Sequence, residues 1–485
     1  IDKTLKLIRG MFSFIFYDKV KSILHGARDH FGQKPFHYTL KDNFFAVCSE
    51  VKPLIKLHSK IELDLMSCRT YLCSNGIIEK DRTFFKDTFT LPAGHMIKFE
   101  KGKVKIKKYF DVIDLHDNND HQLKSSISSN IEKLNHFLEK AVKNHMLSDV
   151  PIGILLSGGI DSTLIYKYAL KLNPSLSAYT KISPGIEEIP EEIVPKIGKI
   201  FSKEINFNYE KKENYLLETL KFVKHTATPS RWGGGPAMSR LCKEAYSQGV
   251  KVLLGGDGVD EACAGYNSHK TLIDNFDNDF FKLHSLVDLD QSSQFFQLSE
   301  MESFLENRKN ERKRIYDALV EIRNKKEKFS RAILFQDVGT FLQTCNLPHS
   351  DAYSMMVSTE LRNPFLDINL MKFILNLPIK HRLKRHNSGH FNKFIFRKLS
   401  EKFFGNFINL PKEGTRNFSM YISNPSFWNF EKFSIRDEFK LNNSIEGKSL
   451  FKYLNLEFLY RTVINNEEDF LFQIMTKKGI ECNYL

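Results

Sequence analysis

No stretch of about 20 consecutive apolar residues, the length a helix needs to cross a bilayer, occurs in this chain. A leader with a basic start and an apolar centre is also missing from its front, and the two absences give the expectation of a cytoplasmic protein with no membrane partner. Cysteine is scarce and scattered. Seven residues, an odd number without a C-x-x-C pair, exclude a disulfide framework and a structural zinc site and leave reduced thiols. Lys and Arg outnumber Asp and Glu by 71 to 58, a net charge of +13, yet no basic block interleaved with aromatics stands out. Acidic residues are mixed in throughout, so the charge reads as a solvated surface and nucleic acid is not an expected partner. No internal repeat is present.

What is there has a globular composition: 41% hydrophobic and 27% charged residues over 485 positions, more than one core requires, which predicts two domains. The most telling segment begins with the apolar run Ile152 to Leu156 and breaks into Ser157-Gly158-Gly159-Ile160-Asp161-Ser162. Leu164, Ile165, Tyr168, Ala169 and Leu172 then share one helical face, and Asn173-Pro174 ends that helix. Consecutive glycines at a strand-to-helix turn bring backbone N–H donors close to an anion, and the helix start adds its positive end. This is a pyrophosphate cradle; the competing reading, a glycine turn without a ligand, does not account for the strand-to-helix setting. No lysine follows the glycines as it does in G-x-x-x-x-G-K-[ST], so phosphate charge has to be met by backbone dipoles and by a metal held at Asp161.

A second glycine segment, Gly255-Gly256-Asp257-Gly258-Val259-Asp260-Glu261, follows the apolar run Val250 to Leu254. Glu261 stands where a dinucleotide fingerprint requires its third glycine, which disfavours that motif. Carboxylates at the mouth of a parallel strand suit Mg²⁺, a hard cation that takes oxygen ligands, and make Asp260 the second metal candidate beside Asp161.

Leu155 to Ser162 resembles the ATP-pyrophosphatase signature and, together with residues 255–261, that of the glutamine-hydrolysing asparagine synthetase family. The resemblance implies ATP contacts at Leu155, Leu156, Ser157, Gly158, Gly159, Asp161, Ser162, Lys181, Gly255 and Gly256. It implies Mg²⁺ at Asp161 and Asp260, and catalysis by Asp257, where the family often has Glu. Asp351-Ala352-Tyr353-Ser354-Met355 and Glu360 to Asp367 resemble the family's D-R-x-S-M and E-x-R-x-P-F-L-D segments, with Ala352 in place of Arg. Glu360 and Arg362 read as an ion pair, and Asp367 as the cap of a helix that Pro378 ends. Asn392-Lys393, Phe396-Arg397 and Leu410-Pro411-Lys412-Glu413-Gly414 match the last family elements, and by position Lys412 inherits contact with phosphate as a catalytic cation.

Arg9 to Asp18, Ala27 to Pro35, Cys48 to Lys52, Leu91 to His95 and a hairpin from Met96 to Tyr109, turning at Glu100-Lys101-Gly102, read as strands and turns. They resemble the later half of the family's glutaminase domain. That domain uses an N-terminal Cys, whereas this chain begins at Ile1 and its first cysteine is Cys48. The expectation is a chain truncated at its N-terminus, unable as written to hydrolyse glutamine, with open strand edges.

The expected organisation is a β-rich remnant of an N-terminal-nucleophile glutaminase domain (residues 1–112), a linker (113–124) and a synthetase domain (125–485) built as an α/β, doubly wound parallel sheet of ATP-pyrophosphatase type. Residues Met301 to Lys328, dense in Glu, Lys and Arg, are expected to form an exposed helical insertion. Arg231 to Pro236 is too glycine-rich for regular structure and reads equally as a lid or a linker. The implied reaction is amidation of aspartate through an acyl-adenylate with glutamine or ammonia as nitrogen source. Other carboxylate acceptors, a tRNA-modifying relative and a non-enzymatic scaffold are the alternatives, and a homodimer is left open.

Overall fold

The computed structural model describes residues 1–41, 44–117, 124–182, 189–209, 212–231, 233–274, 298–386, 389–405, 434–435, 439 and 447–467. Its N-terminal part consists of β1 (Ser13–Asp18), β2 (Ile23–Arg28), β3 (His37–Lys41), β4 (Phe44–Cys48), β5 (Thr88–Thr90), β6 (His95–Glu100) and β7 (Lys103–Lys108). These pair antiparallel as a four-stranded sheet, β1-β2-β6-β7, and a three-stranded sheet, β4-β3-β5. The two sheets share one small core: Ile97 and Val104 of the first meet Tyr38, Phe45, Val47 and Phe89 of the second. The predicted hairpin is β6–β7, with Lys101 and Gly102 both at positive φ in the turn, the geometry that matches strand twist. A buried ion network fixes the loop after β2. Asp29 accepts from the N–H groups of Phe31, Gln33 and Lys34 at 3.1, 3.0 and 2.9 Å, while Arg28 donates to the carbonyls of Gly32, Lys34 and Leu91 at 2.8, 2.8 and 2.9 Å.

A five-stranded, wholly parallel sheet follows, formed by β8 (Ile152–Leu155), β9 (Ser177–Ile182), β10 (Asn206–Tyr209), β11 (Val252–Leu254) and β12 (Glu360–Arg362) in the order β10-β9-β8-β11-β12. The chain winds from β8 outward to β10 on one side, then crosses to β11 and β12 on the other. This is the expected doubly wound sheet, and the reversal of direction falls between β8 and β11, whose Ile154 and Leu254 are in register. Helix Ile127–His145 joins the core around the sheet through Ile131, Leu134, Leu138, Ala141 and Val142, a stripe of 3.6-residue period. Asp367 caps helix Ile368–Leu375 by accepting from the N–H groups of Asn369 and Leu370.

Two expectations need correction. The charged segment after Met301 is no exposed insertion: helix Glu302–Ala318 buries Phe304, Arg308, Arg312 and Ile315, and helix Lys325–Asp337 is buried along most of its length. Partners on other elements make the burial of charge tolerable, since Arg308 meets Glu79 at 3.1 Å and Arg312 donates to Gln336 at 2.8 Å. The glycine-rich stretch is also partly regular, because Gly235 and Pro236 form the first turn of helix Gly235–Ser247, where a proline loses no hydrogen bond.

Candidate functional site

Both glycine segments lie at the carboxyl ends of adjacent strands. After β8, the chain turns through Ser157 and Gly158 and enters helix Ile160–Leu172 at Gly159, its N-cap. Gly158 has φ of 77°, and a Cβ there would sit 3.2 Å from Val194 Cγ2, so both backbone and space call for glycine. No side chain caps the helix. The hydroxyls of Ser157 and Ser162 approach to 3.2 Å, and the Ser162 hydroxyl and Thr163 Oγ1 donate to the Gly159 carbonyl at 3.2 and 2.8 Å. Gly159 N–H also reaches the Ser157 hydroxyl, at 3.4 Å, so serine side chains brace the turn, and the start of an uncapped helix is where an anion finds backbone donors. Leu155 ends the strand and Leu156 follows it, its N–H donating to the Tyr179 carbonyl at 2.8 Å. Lys181 lies on neighbouring β9, two residues beyond Tyr179.

After β11, Gly255 donates its N–H to the Arg362 carbonyl at 2.8 Å, and a Cβ on it would come within 2.6 Å of Asn363 Oδ1. That close approach lets Asn363 organise Asp257: its Oδ1 accepts from Asp257 N–H at 3.2 Å and its Nδ2 lies 3.4 Å from Asp257 Oδ2. The Ser350 hydroxyl donates to the same carboxylate oxygen at 2.7 Å. Asp260 and Glu261 start the short helix Val259–Ala262.

The two metal candidates meet over a buried lysine. Lys393 Nζ stands 2.6 Å from Asp161 Oδ2 and 2.8 Å from Asp260 Oδ1. Burial opposes the charge of Lys393, but the two carboxylates outweigh it and raise its pKa. Glu261, fully buried, accepts from the Tyr266 hydroxyl at 2.6 Å and from Asn346 Nδ2 at 2.5 Å. Burial first, and Asp260 second, push its carboxyl up to about 8.

The residues fit a divalent cation. Asp161 Oδ1 is buried and has no hydrogen-bond partner among the described residues, an oxygen acceptor of the kind Mg²⁺ takes. Among the described residues no group of three or more His, Cys, Asp or Glu forms a ready cage, so an ion there would complete its shell from phosphate or water.

The structure therefore brings together Ser157, Gly158, Gly159, Asp161, Ser162, Gly255, Gly256, Asp257 and Asp260. Gly256 belongs to this group because its α-carbon faces Asp161, whose Cβ would lie 3.6 Å from an added Cβ. Lys412 lies outside the described residues. The sequence does not mark Lys393, Ser350 or Asn363 as site residues, although Lys393 and Asn363 fall within family-like segments; a buried lysine has no sequence signature distinct from the many exposed ones.

A second feature lies toward the N-terminal part. A cavity of about 410 Å³ between the antiparallel sheets and the parallel-sheet part is lined by Arg28, Lys34, Glu50, Arg231, His349 and Asp351, among others, and His349 and Asp351 flank Ser350 in the chain.

Among the described residues no helix is long and apolar enough to cross a membrane. The chain is similar to several known proteins. Asparagine synthetase [glutamine-hydrolyzing] 1 of Bacillus subtilis is 30% identical over 271 residues, 54% of this chain and 40% of that protein. Putative asparagine synthetase [glutamine-hydrolyzing] 1 of Methanocaldococcus jannaschii is 26% identical over 389 residues, 79% of this chain and 58% of that protein. Asparagine synthetase B [glutamine-hydrolyzing] of Escherichia coli is 26% identical over 276 residues, 53% of this chain and 44% of that protein. The chain thus spans 40 to 58% of the length of these relatives. Residues 2–110 match a glutamine amidotransferase domain model. Residues 133–417, more than half of the chain and including both glycine segments, match the asparagine synthase model, and the chain belongs to that family.

Proposed function

We propose that the protein is an ATP-dependent ligase that amidates aspartate to asparagine, releasing AMP and pyrophosphate. The observation that carries the reading is the convergence of Asp161, Asp257 and Asp260 at the carboxyl ends of β8 and β11, beside an uncapped helix start. The division into residues 1–112, 113–124 and 125–485 belongs to the same proposal, as does action in the cytoplasm, where ATP is found. Nitrogen comes from ammonia, or from glutamine through the amidotransferase domain whose model matches residues 2–110.

In the first step a side-chain carboxylate oxygen of aspartate attacks the α-phosphorus of ATP. The bond to the β-phosphate breaks, giving β-aspartyl-adenylate and pyrophosphate. N–H groups of the Ser157–Gly159 turn receive the phosphate charge; Asp161 and Asp260 would hold Mg²⁺, which would supply positive charge to offset that of the leaving pyrophosphate. Lys412 steadies the same charge. In the second step ammonia attacks the acyl carbon, the carbon–oxygen bond to AMP breaks, and Asp257 takes a proton from the amine nitrogen. Ser350 and Asn363 hold that carboxylate in place.

The test is incubation of the purified chain with ATP, Mg²⁺, ammonium and aspartate. Expected is aspartate-dependent release of pyrophosphate and AMP in equal amounts with asparagine formed. Release dependent on a different acid would replace the substrate, and no release from a folded chain would overturn the ligase reading.

A further inference from the structure

Lys393 is in an unusual position for a lysine. It is 3% exposed and enters helix Phe394–Phe404 from the left-handed region, with φ of 49°, which a residue with a Cβ adopts only where its surroundings enforce it. The surroundings do enforce it. Arg397 donates through Nε to the Asn392 carbonyl at 2.8 Å and through Nη2 to Asn392 Oδ1 at 2.9 Å. Asn392 Nδ2 donates in turn to the Gly265 carbonyl, and Gly265 N–H to the Asp260 carbonyl at 2.8 Å. The segment carrying Lys393 is therefore fastened to the segment carrying Asp260, and the ammonium is delivered between Asp260 Oδ1 and Asp161 Oδ2 at 2.8 and 2.6 Å.

Two carboxylates from different loops repel when brought together in a buried place, and one ammonium between them leaves the group at −1. A divalent cation drawn to the same two carboxylates competes with that ammonium for their charge. With polyphosphate present, however, the displaced ammonium gains a new anion, and the flexible lysine stem permits the small shift that the backbone does not.

We propose that Lys393 is a positioning residue that holds Asp161 and Asp260 together in the metal-free protein, competes with a free divalent cation for them, and moves its ammonium onto a phosphate oxygen when the cation arrives with polyphosphate. The proposal rests on the nucleotide reading above. Its consequence is an order of preference: free metal binds weakly, metal with pyrophosphate binds tightly, and the lysine sets both.

The full chain is titrated calorimetrically with Mn²⁺ alone and with pyrophosphate in excess Mn²⁺, as wild type, Lys393→Met and Asp161→Asn. In Lys393→Met the Kd for Mn²⁺ alone falls by about tenfold, because the competing cation is gone, while the Kd for pyrophosphate rises by about tenfold. A merely structural lysine moves both in the weakening direction, so parallel weakening, or no change in either, overturns the proposal. Asp161→Asn loses binding of Mn²⁺ alone and of pyrophosphate in excess Mn²⁺. Wild type that binds neither Mn²⁺ nor Mn²⁺-pyrophosphate removes the nucleotide reading and this proposal together; wild type that binds both, with Lys393→Met indistinguishable from it, removes this proposal alone. Where Lys393→Met does not fold by circular dichroism, Lys393→Arg carries the test. The retained cation keeps the Mn²⁺ Kd within about twofold of wild type while pyrophosphate binding weakens, since a guanidinium forked onto two carboxylates is poorly placed to leave them. A Mn²⁺ Kd lowered about tenfold in that variant overturns the competition.

Discussion

Ser350 Oγ donates to Asp257 Oδ2 at 2.7 Å, joining residues 93 positions apart in the chain. With Asn363 on the same oxygen, the carboxylate proposed to take the amine proton is held in one orientation. Ser350→Ala is therefore expected to lower kcat by roughly tenfold with little change in the KM for ATP, since Ser350 does not line the turn that receives phosphate. Steady-state pyrophosphate release at varied ATP checks it. An equal loss in kcat and in ATP affinity would mean that Ser350 supports the whole site and not Asp257 alone.

Asp161 and Asp260 hold equivalent places across the same ammonium. Asp161→Asn and Asp260→Asn are each expected to reduce ATP-dependent pyrophosphate release by at least about a hundredfold, because each removes an anionic oxygen ligand while keeping the side-chain shape. Raising Mg²⁺ is expected to restore part of the activity of either variant. Retention of near wild-type activity by one of them would remove that residue from the metal site.

Both glycine segments were legible because each combines a short apolar run with a turn that must be glycine, a local signal complete within about ten residues. The parallel sheet followed from their repetition with intervening helices. Asp257's supports could not be read in this way. Ser350 and Asn363 arrive from 93 and 106 residues away, and Lys393 reaches Asp161 across 232. Nothing in the local pattern of a serine, an asparagine or a lysine reports such a meeting. The same limit explains the misread charged segment: Arg308 and Arg312 look solvent-bound in sequence because their partners, Glu79 and Gln336, lie on other elements.

Asp111 ties the antiparallel sheets to the rest of the molecule. It accepts from Ile113 N–H at 3.3 Å and meets Lys108 at 2.8 Å and Arg314 at 3.0 Å. Burial alone would raise its pKa, but Lys108 and Arg314 outweigh it and hold the carboxyl at about 2. A folded pKa below the unfolded value means stability that is present above the ordinary carboxyl range and is lost as pH falls toward 2. Asp111→Asn keeps the cap and removes the charge. The variant is expected to be less stable than wild type by about 2 kcal/mol at pH 7, with the difference shrinking below about pH 4. Urea unfolding at several pH values checks this, and a difference independent of pH would assign the loss to packing.

Gly158→Ala tests the cradle. The substitution meets a positive φ and the Val194 methyl together, and is expected to cost about 1–2 kcal/mol and to weaken ATP binding. Val194→Ala in the same chain relieves the contact but leaves the positive φ and opens a cavity, since Val194 is fully buried. The double variant should be less destabilised than the two single variants summed and recover little of the ATP affinity, because the turn stays displaced. Full recovery of both would mean that the clash alone matters.

Lys34 and Asp351 pair at 2.9 Å across the boundary between the antiparallel sheets and the parallel-sheet part, with side chains 18% and 13% exposed. Burial raises the pKa of Asp351 and Lys34 opposes the rise, so the lysine is what makes the buried charge tolerable. Lys34→Met leaves that carboxylate without its cation and is expected to destabilise the chain by about 3 kcal/mol, whereas Asp351→Asn should cost less because an amide carries no charge to strand. The double variant should be more stable than Lys34→Met alone. Asp351 follows Ser350 directly in the chain, so displacement of one moves the other, and Lys34→Met is also expected to lower kcat several-fold from a position on a different sheet. Unfolding curves for all three variants, read with pyrophosphate release, separate the outcomes. Loss of stability without loss of kcat would make the pair a staple between the two parts, while loss of both, relieved together by Asp351→Asn, would make it the link through which the antiparallel sheets set the orientation of Asp257.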